Sequence, residues 1–249
     1  MATIARVTDT ASGRVETAPG RAGVSEPLRR FVAEFPHERG SIFDFVLRAA
    51  RETPVGARVA DVGAGDAPYR ELFAHADYTA IDWEQSLHEG VDVDLTASAD
   101  AIPVGDGAFD VVLCTQVLEH VPEPGRVLRE LHRILKPGGC LYITVPLAWE
   151  LHELPHDYYR YTSAGLDHLL TAAGFDPVVV EPRNDCFTTI AQLMLNIRSA
   201  MGRAEDGLGE RREAAAGLLT ELAEQVAELG PLDARCVFPL GYAATARRP

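Results

Sequence analysis

Histidine and tyrosine side chains are concentrated in residues 149–161. The aromatic and imidazole residues there are Trp149, His152, His156, Tyr158, Tyr159 and Tyr161. An imidazole exchanges protons near neutral pH, and a phenol can orient a bound molecule by hydrogen bonding. We therefore predict an acid–base site with His156 as the first candidate for a general base, His152 as the second and Tyr158 as a positioning residue. The alternative is that these side chains only hold the loop in place, with Arg160 paired to Asp157 or Glu153.

His152-Glu153-Leu154-Pro155-His156 also matches the zinc motif H-E-x-x-H. Zinc binding by that motif requires both histidines on one face of a continuous helix. Pro155 lacks a backbone N–H and clashes with the preceding turn, so it breaks such a helix. We predict a loop at this position and no metal site in the chain.

A glycine-rich turn follows the predicted buried strand Arg58–Val62. It contains Gly63, Ala64 and Gly65 and ends at Pro68. Such a turn between a strand and a helix lets the backbone approach a ligand at the carboxyl end of a sheet. The dinucleotide fingerprint fails because Pro68 occupies its last position, and no Lys-Ser or Lys-Thr follows to make a P-loop. Acidic Asp61 and Asp66 flank the turn and favour a cationic ligand, although a purely structural turn stays an alternative.

Further acidic residues follow at the ends of later segments. Asp82 ends the next predicted strand, where a carboxylate can accept both ribose hydroxyls of a nucleoside. Asp94 and Leu95 precede another strand, where an acceptor side chain could meet an adenine amino group. His120, next to Glu119, follows that strand and is a third candidate base, the alternative being a residue that only packs at the start of a helix.

Strands and helices alternate along most of the chain. The predicted helices cover Pro27–Thr53, Tyr69–His75 and the stretches around Leu131, Leu169, Ile190 and Leu222; the predicted strands are Arg58–Val62, Tyr78–Ile81, Asp110–Cys114, Cys140–Val145 and Val178–Val180. Such alternation is typical of a parallel sheet covered on both faces. The last run, Arg235–Ala244, contains Pro239 and Gly241, which favours a strand at the sheet edge.

These motifs together resemble the class I S-adenosylmethionine-dependent methyltransferases, in particular the type 11 group. The resemblance covers roughly residues 55–180 and is carried by the glycine turn, Ala80-Ile81-Asp82, Ala101-Ile102-Pro103 through Asp110, Leu113–Val121 and Leu131–Gly139. The run from Glu153 to Thr162 is similar to a recurrent stretch of the same group. The resemblance implies an α/β fold with a Rossmann-like, seven-stranded, mostly parallel sheet, helices on both faces, an antiparallel last strand and helical lid elements.

The same resemblance implies S-adenosyl-L-methionine as the cofactor and assigns residues to its parts. Asp61, Gly63 and Gly65 would line the methionine part, Asp82 the ribose, and Asp94 with the Leu95 backbone the adenine. Thr115 and Gln116 would lie beside the sulfonium, and Ala64 and Trp83 complete the predicted cofactor-binding set. Ala67 stands where many members have a third glycine, and we expect little loss because alanine is small.

The predicted reaction is methyl transfer to an oxygen, nitrogen or carbon of a small molecule, in secondary metabolism. The chain has 37 acidic and 23 basic residues and a net charge of −14, which disfavours nucleic acid as a partner. No amino-methyltransferase signature follows Cys114 either. Two other classes stay open. One is a nicotinamide-dependent oxidoreductase, disfavoured by Pro68, and the other is a protein that binds the cofactor as a scaffold or for a reaction other than methylation.

The predicted organisation is a disordered tail over residues 1–24 and a single methyltransferase domain over 25–249. Within that domain we expect an N-terminal helical lid at 25–54, the cofactor-binding core at 55–182, a helical lid insertion at 183–230, and the last strand and tail at 231–249. The sequence shows no secretion signal and no apolar run long enough for a membrane span. The four cysteines are far apart, which favours reduced thiols and a cytoplasmic location. A homodimer is the expected assembly.

Overall fold

The computed structural model describes residues 23–84, 93–202 and 209–249. Residues 1–22, most of the predicted tail, lie outside this part of the chain. No helix within it is long and apolar enough to cross a membrane.

One sheet of seven strands forms the centre of the described structure. The strands are β1 (Arg58–Val62), β2 (Asp77–Asp82), β3 (Leu95–Thr96), β4 (Phe109–Thr115), β5 (Leu135–Pro146), β6 (Val178–Arg183) and β7 (Gly241–Arg247). They lie in the order β3-β2-β1-β4-β5-β7-β6. The pairs among β1 to β5 are parallel, whereas β7 is antiparallel to both β5 and β6. The predicted fold class is confirmed.

The position of the last strand differs from the prediction. Strand β7 lies between β5 and β6 rather than at an edge, and it begins at Gly241. Pro239 therefore precedes the strand and removes no hydrogen bond from its ladder. The residues inside β7 keep their N–H groups, so they can pair on both sides.

Six helices accompany the sheet in the described residues: α1 (Glu26–Glu34), α2 (Glu38–Glu52), α3 (Pro124–Ile134), α4 (Ser163–Ala172), α5 (Cys186–Gly202) and α6 (Gly209–Ala227). The single helix predicted over Pro27–Thr53 is two helices. Pro36 disfavours the helical conformation of Phe35, which is non-helical with a φ of −131° and ends α1. The predicted helix over Tyr69–His75 is only a four-residue 3₁₀ turn, Arg70–Phe73.

Side chains alternate between two hydrophobic cores, one on each face of the sheet. Val59, Val111 and Leu113 pack with α1 and α2 on one face. Ala60 and Val112 pack with α3 and α4 on the other. Because both faces of the central strands are covered, most side chains of β1 and β4 are buried. Because β1, β2, β4 and β5 are parallel, their carboxyl ends meet at one edge of the sheet. The predicted site residues lie at this edge.

Candidate functional site

The glycine turn after β1 places its backbone against the end of β2. Gly63 and Gly65 have φ values of +73° and +51°, which favour glycine. A Cβ atom on Gly63 would collide with Cγ2 of Val117. The N–H groups of Gly63 and Ala64 both donate to the Ile81 carbonyl, at 2.8 and 3.1 Å. The turn is thus closely packed.

Asp61 is a buried carboxyl at the end of β1. Its side chain accepts a hydrogen bond from the Tyr78 hydroxyl through Oδ2, whereas Oδ1 has no partner among the described residues. Burial raises the pKa of Asp61 to about 6. A buried carboxylate oxygen without a partner is suited to a cationic group such as the ammonium of the predicted cofactor.

Asp82 connects the second strand to the glycine turn. Its Oδ2 accepts from the Gly65 N–H at 2.8 Å, and its Oδ1 accepts from the Trp83 N–H at 2.7 Å. The carboxylate is thereby oriented at the carboxyl edge of the sheet. A carboxylate in this position is the group that ribose hydroxyls would require.

Asp94 has a partner that the sequence analysis did not identify. Its Oδ2 accepts from the Arg70 guanidinium and from the Ala80 N–H, both at 2.7 Å. Leu95 begins β3 and pairs with Ile81 of β2. No motif marks Arg70, because it follows Pro68 in an irregular turn. The adenine role of Asp94 and Leu95 stays a prediction.

Thr115 and Gln116 lie where β4 leaves the sheet. Gln116 has a φ of +55°, a conformation that costs free energy for a residue with a side chain. Its N–H donates to the Thr144 carbonyl and its amide nitrogen donates to the Thr144 hydroxyl oxygen, each at 3.0 Å. The Gln116 side chain is therefore anchored to β5, and half-buried Thr115 precedes it.

The segment that matches H-E-x-x-H is a loop, as Pro155 predicts. Two charged residues hold it together. Arg160 binds both oxygens of Asp157, at 2.5 and 2.9 Å, and this pairing lowers the pKa of Asp157. Arg160 also donates to the carbonyls of Trp149 and Glu150. The structural role considered for Arg160 is confirmed.

The loop is attached to the end of β4 by its tyrosines. The Tyr158 N–H donates to the Glu119 carbonyl at 2.8 Å, and the Tyr159 and Tyr161 hydroxyls donate to the carbonyls of Pro122 and Leu118. The side chains of Tyr159 and Tyr161 thus hold the loop. The Tyr158 side chain is 44% exposed and stays available to a ligand.

Two ring contacts bring the candidate base and the predicted cofactor residues together. The His156 ring stands edge-on to the Trp83 ring, with centroids 5.5 Å apart. Nδ1 of His156 lies 3.4 Å from the Tyr158 hydroxyl oxygen. Trp83 follows Asp82 in the chain, and Asp82 is the residue predicted to bind the ribose. The contact with Trp83 therefore places the loop beside the ribose side of the predicted cofactor site.

His120 and His152 lie in contact, with ring centroids 4.7 Å apart. Beside them is Glu119, which is fully buried and has no hydrogen-bond partner for either carboxylate oxygen among the described residues. Burial raises the pKa of Glu119 to about 8 and lowers that of His120. Glu119 was not predicted to have a role from the sequence. Its only signal was an acidic residue within a strongly apolar segment next to a histidine.

The parallel sheet with an inserted antiparallel strand, the glycine turn and the acidic strand ends together define the class I methyltransferase fold. A family model described as a methyltransferase domain matches residues 35–180, and the chain belongs to this family of S-adenosylmethionine-dependent methyltransferases. S-adenosyl-L-methionine is confirmed as the cofactor, which removes the basis for the nicotinamide alternative. The buried Asp61 oxygen, which has no partner among the described residues, fits the ammonium of that cofactor.

Similar proteins include the ubiquinone biosynthesis O-methyltransferase of Xanthomonas axonopodis pv. citri. It is 37% identical over 138 residues, which cover 48% of this chain and 58% of the relative. The same enzyme from Xanthomonas campestris pv. campestris is 36% identical over an equal length. The chain thus spans little more than half the length of these relatives.

Two solved structures show the same fold at low sequence identity. One is a SAM-dependent methyltransferase from Archaeoglobus fulgidus, with a TM-score of 0.53, 18% identity, and coverage of 88% of this chain and 99% of that one. The other is the cyclase SpnF, with a TM-score of 0.53, 24% identity, and coverage of 83% and 81%.

Proposed function

We propose that this methyltransferase transfers the methyl group of S-adenosyl-L-methionine to a small-molecule acceptor bound under the 149–161 loop. The observation that carries the proposal is the contact between Trp83 and His156. It joins the residues proposed to hold the cofactor to those proposed to act on the acceptor. Methyl transfer is an in-line displacement, so a site that holds both reactants side by side supplies much of the rate.

The cofactor is proposed to bind along the carboxyl ends of β1, β2 and β4. Asp61 would accept from the ammonium, and Asp82 would accept from the ribose hydroxyls. Gly63, Ala64, Gly65 and Trp83 would line this stretch, Asp94 and Leu95 would take the adenine, and Thr115 and Gln116 would lie beside the sulfonium. When bound, the cofactor supplies an electrophilic methyl group.

The acceptor's proton is proposed to pass to a histidine of the loop. His156 is the first candidate because its ring lies between Trp83 and Tyr158, and Tyr158 would orient the acceptor. His152 and His120 are the other candidates. Their Nδ1 atoms face backbone carbonyls of Glu150 and His156, so those atoms carry the protons and Nε2 is free to accept one.

An oxygen acceptor is favoured among oxygen, nitrogen and carbon. The support is the name of the relatives, O-methyltransferase, at 37% identity over about half of the chain. The net charge of −14 supports a small molecule rather than nucleic acid. A role in secondary metabolism stays a prediction.

The test combines cofactor binding with turnover. The full chain is incubated with methyl-labelled S-adenosylmethionine and a panel of small phenols, carboxylic acids and amines, and labelled product is measured. For an acceptor that is turned over, His156→Ala should lower kcat by about 10²–10⁴-fold, the usual contribution of a general base. The affinity for S-adenosylhomocysteine should stay within about twofold, because His156 would not hold the cofactor.

His168→Ala is the matched control, since His168 is an exposed histidine on α4 away from the site. It should leave both kcat and affinity unchanged. If His156→Ala, His152→Ala and Tyr158→Phe all keep kcat/KM within a few-fold of the wild type, the loop is structural and the acceptor assignment is wrong.

A second function is cofactor binding without methyl transfer, as a scaffold or for another reaction. The supporting observation is that the cyclase SpnF shares the fold. A protein of this kind would bind S-adenosylhomocysteine and release no labelled methyl to any acceptor. Conversion of a substrate with S-adenosylhomocysteine in place of the methyl donor would establish it.

The cytoplasmic location and the homodimer also stay proposals. All four cysteines, Cys114, Cys140, Cys186 and Cys236, are free thiols, which supports a reducing compartment. Sedimentation of the full chain at several concentrations tests the homodimer, and a single species with the mass of one chain would contradict it.

A further inference from the structure

A cluster of one glutamate and two histidines, Glu119, His120 and His152, lies at the end of β4 beside the 149–161 loop. Glu119 and His120 belong to the short 3₁₀ turn Leu118–His120, and His152 comes from the loop. One ligand atom of each residue lies within 4.8 Å of the others. The cluster therefore combines residues that are distant in sequence.

Glu119 is the least expected member of this cluster. Its side chain has no exposed surface, and neither carboxylate oxygen has a hydrogen-bond partner within the described ranges. An isolated buried carboxylate is costly unless a proton or a cation neutralises it. Nε2 of His120 lies 3.9 Å from Oε1 of Glu119.

The two histidines are oriented as metal-binding histidines usually are. Nδ1 of His120 donates to the His156 carbonyl at 2.9 Å, and Nδ1 of His152 donates to the Glu150 carbonyl at 3.2 Å. Because a carbonyl can only accept, each Nδ1 carries the proton and each Nε2 has a free lone pair. In protein metal sites the nitrogen that does not bind the metal makes this kind of bond to a carbonyl or carboxylate.

The surrounding residues hold His152 in this orientation. Asp157 Oδ2 lies 3.5 Å from Nδ1 of His152 and also accepts from the His152 N–H at 3.0 Å. Arg160 fixes Asp157 in turn through two hydrogen bonds. A carboxylate behind a histidine in this manner also raises the basicity of the ring.

We propose that Glu119, His120 and His152 bind a divalent first-row transition metal such as Zn²⁺ or Co²⁺. Two imidazoles and one carboxylate suit these ions, whereas Mg²⁺ and Ca²⁺ prefer oxygen ligands. Ligand atoms at about 2.1 Å from an ion lie roughly 3.4 Å apart, so the side chains must move inward by about 1 Å. Three protein ligands leave a further position for water or another ligand.

This site replaces the expectation that the chain binds no metal, and it differs from the H-E-x-x-H motif. That motif would pair His152 with His156, whereas here His152 pairs with Glu119 and His120. Exposed Glu153, whose Oε2 lies 3.7 Å from Nε2 of His120, borders the open side of the cluster. The site depends only on these residues and does not require the proposed methyl transfer.

The experiment uses the full chain after treatment with a chelator. Co²⁺ is added during isothermal calorimetry and in a parallel visible-absorption titration. We expect one Co²⁺ per chain, a visible band typical of nitrogen and oxygen ligands, and displacement by Zn²⁺. His152→Ala and His120→Ala should each weaken binding by at least about tenfold, and Glu119→Gln should do the same.

Two histidine variants serve as controls, His156→Ala in the same loop and His168→Ala on α4. Both should keep one Co²⁺ per chain with an affinity within about twofold of the wild type. Circular dichroism and S-adenosylhomocysteine binding establish that each variant is folded, and they separate a failure here from a failure of the methyltransferase proposal. His152→Ala is the decisive variant, because His152 lies in a partly exposed loop.

The proposal is overturned if the folded wild type binds no stoichiometric Co²⁺ or Zn²⁺. It is also overturned if His152→Ala binds the metal as tightly as the wild type does. Equal losses in His152→Ala and His156→Ala would instead assign the metal to the histidines of the H-E-x-x-H motif.

Discussion

Asp61 should make cofactor binding depend on pH around its own raised pKa. Burial is the main cause of that shift, and the hydrogen bond from Tyr78 opposes it in part. The cofactor's ammonium would contact Oδ1 of Asp61, which has no partner among the described residues. A positive charge at this position favours the ionised carboxylate. Binding below pH 6 should therefore release a proton from Asp61.

The magnitude follows from the pKa of about 6. Affinity for S-adenosylhomocysteine should be constant above about pH 7 and fall about tenfold for each unit below pH 6, or ~1.4 kcal/mol per unit. The free energy of unfolding of the cofactor-free protein changes in the opposite direction. The folded state keeps its proton between pH 3.8 and about 6 whereas the unfolded state loses it, so stability falls by up to about 3 kcal/mol as pH rises through that window.

Calorimetry of S-adenosylhomocysteine binding from pH 5 to pH 8 measures this effect. Tyr78→Phe removes the hydrogen bond that lowers the pKa of Asp61, so the inflection should move to higher pH. Asp61→Asn cannot ionise and should bind weakly, with no pH dependence from this position. Buffers with different heats of ionisation report the released proton. A wild-type affinity that is flat from pH 5 to pH 7, or an Asp61→Asn variant with unchanged affinity, would refute the reasoning.

Three further changes test the structure around the site. Ala67 has a φ of +46°, a left-handed conformation that costs free energy even for a side chain as small as that of alanine. Ala67→Gly should therefore raise the free energy of unfolding by about 1 kcal/mol in urea titrations. Ala64→Gly is its control and should not stabilise the protein. Gly63→Ala should weaken cofactor binding and lower stability because its Cβ meets Val117, and adding Val117→Ala should restore part of the loss; full affinity in Gly63→Ala alone would contradict the close packing. Glu38 and Arg183 form a buried ion pair at 2.9 Å, so Glu38→Ala should cost about 3–5 kcal/mol in the same urea titrations, whereas Glu26→Ala in an exposed pair with Arg29 should cost less than about 1 kcal/mol. Equal losses of unfolding free energy in the two glutamate variants would show that burial of the ion pair does not determine its contribution to stability.

The amino-acid sequence alone was sufficient for the elements whose signals are local. The bounds of β1 were predicted to the residue, because Val59, Ala60 and Val62 lead directly into a glycine turn that ends the strand. The helix predicted around Leu169 is present as α4, and Thr162 caps its start because the Thr162 hydroxyl oxygen accepts from the Gly165 N–H. Glycine-turn, acidic and apolar signals in the right order were also enough to indicate the family.

Local signals also had limits within single elements. The pattern of apolar residues continues through Pro36, so periodicity predicted one helix where backbone sterics allow two. Pro239 and Gly241 suggested an edge strand, but the strand begins only at Gly241 and lies between two others. Strand order depends on which strands pair in the folded protein. The residue types of β7 do not indicate which strands lie beside it.

Only the tertiary structure decided which polar groups meet. Arg70 reaches Asp94 because an irregular turn brings it back over β2. Glu119 and His120 meet His152 because the 149–161 loop returns to the end of β4, where backbone hydrogen bonds from Tyr158 and Tyr159 hold it. Such contacts join residues that are far apart in the chain, and their geometry depends on how the whole sheet packs. A sequence lists the groups that can form a site, whereas the fold determines their distances, their burial and hence their charge.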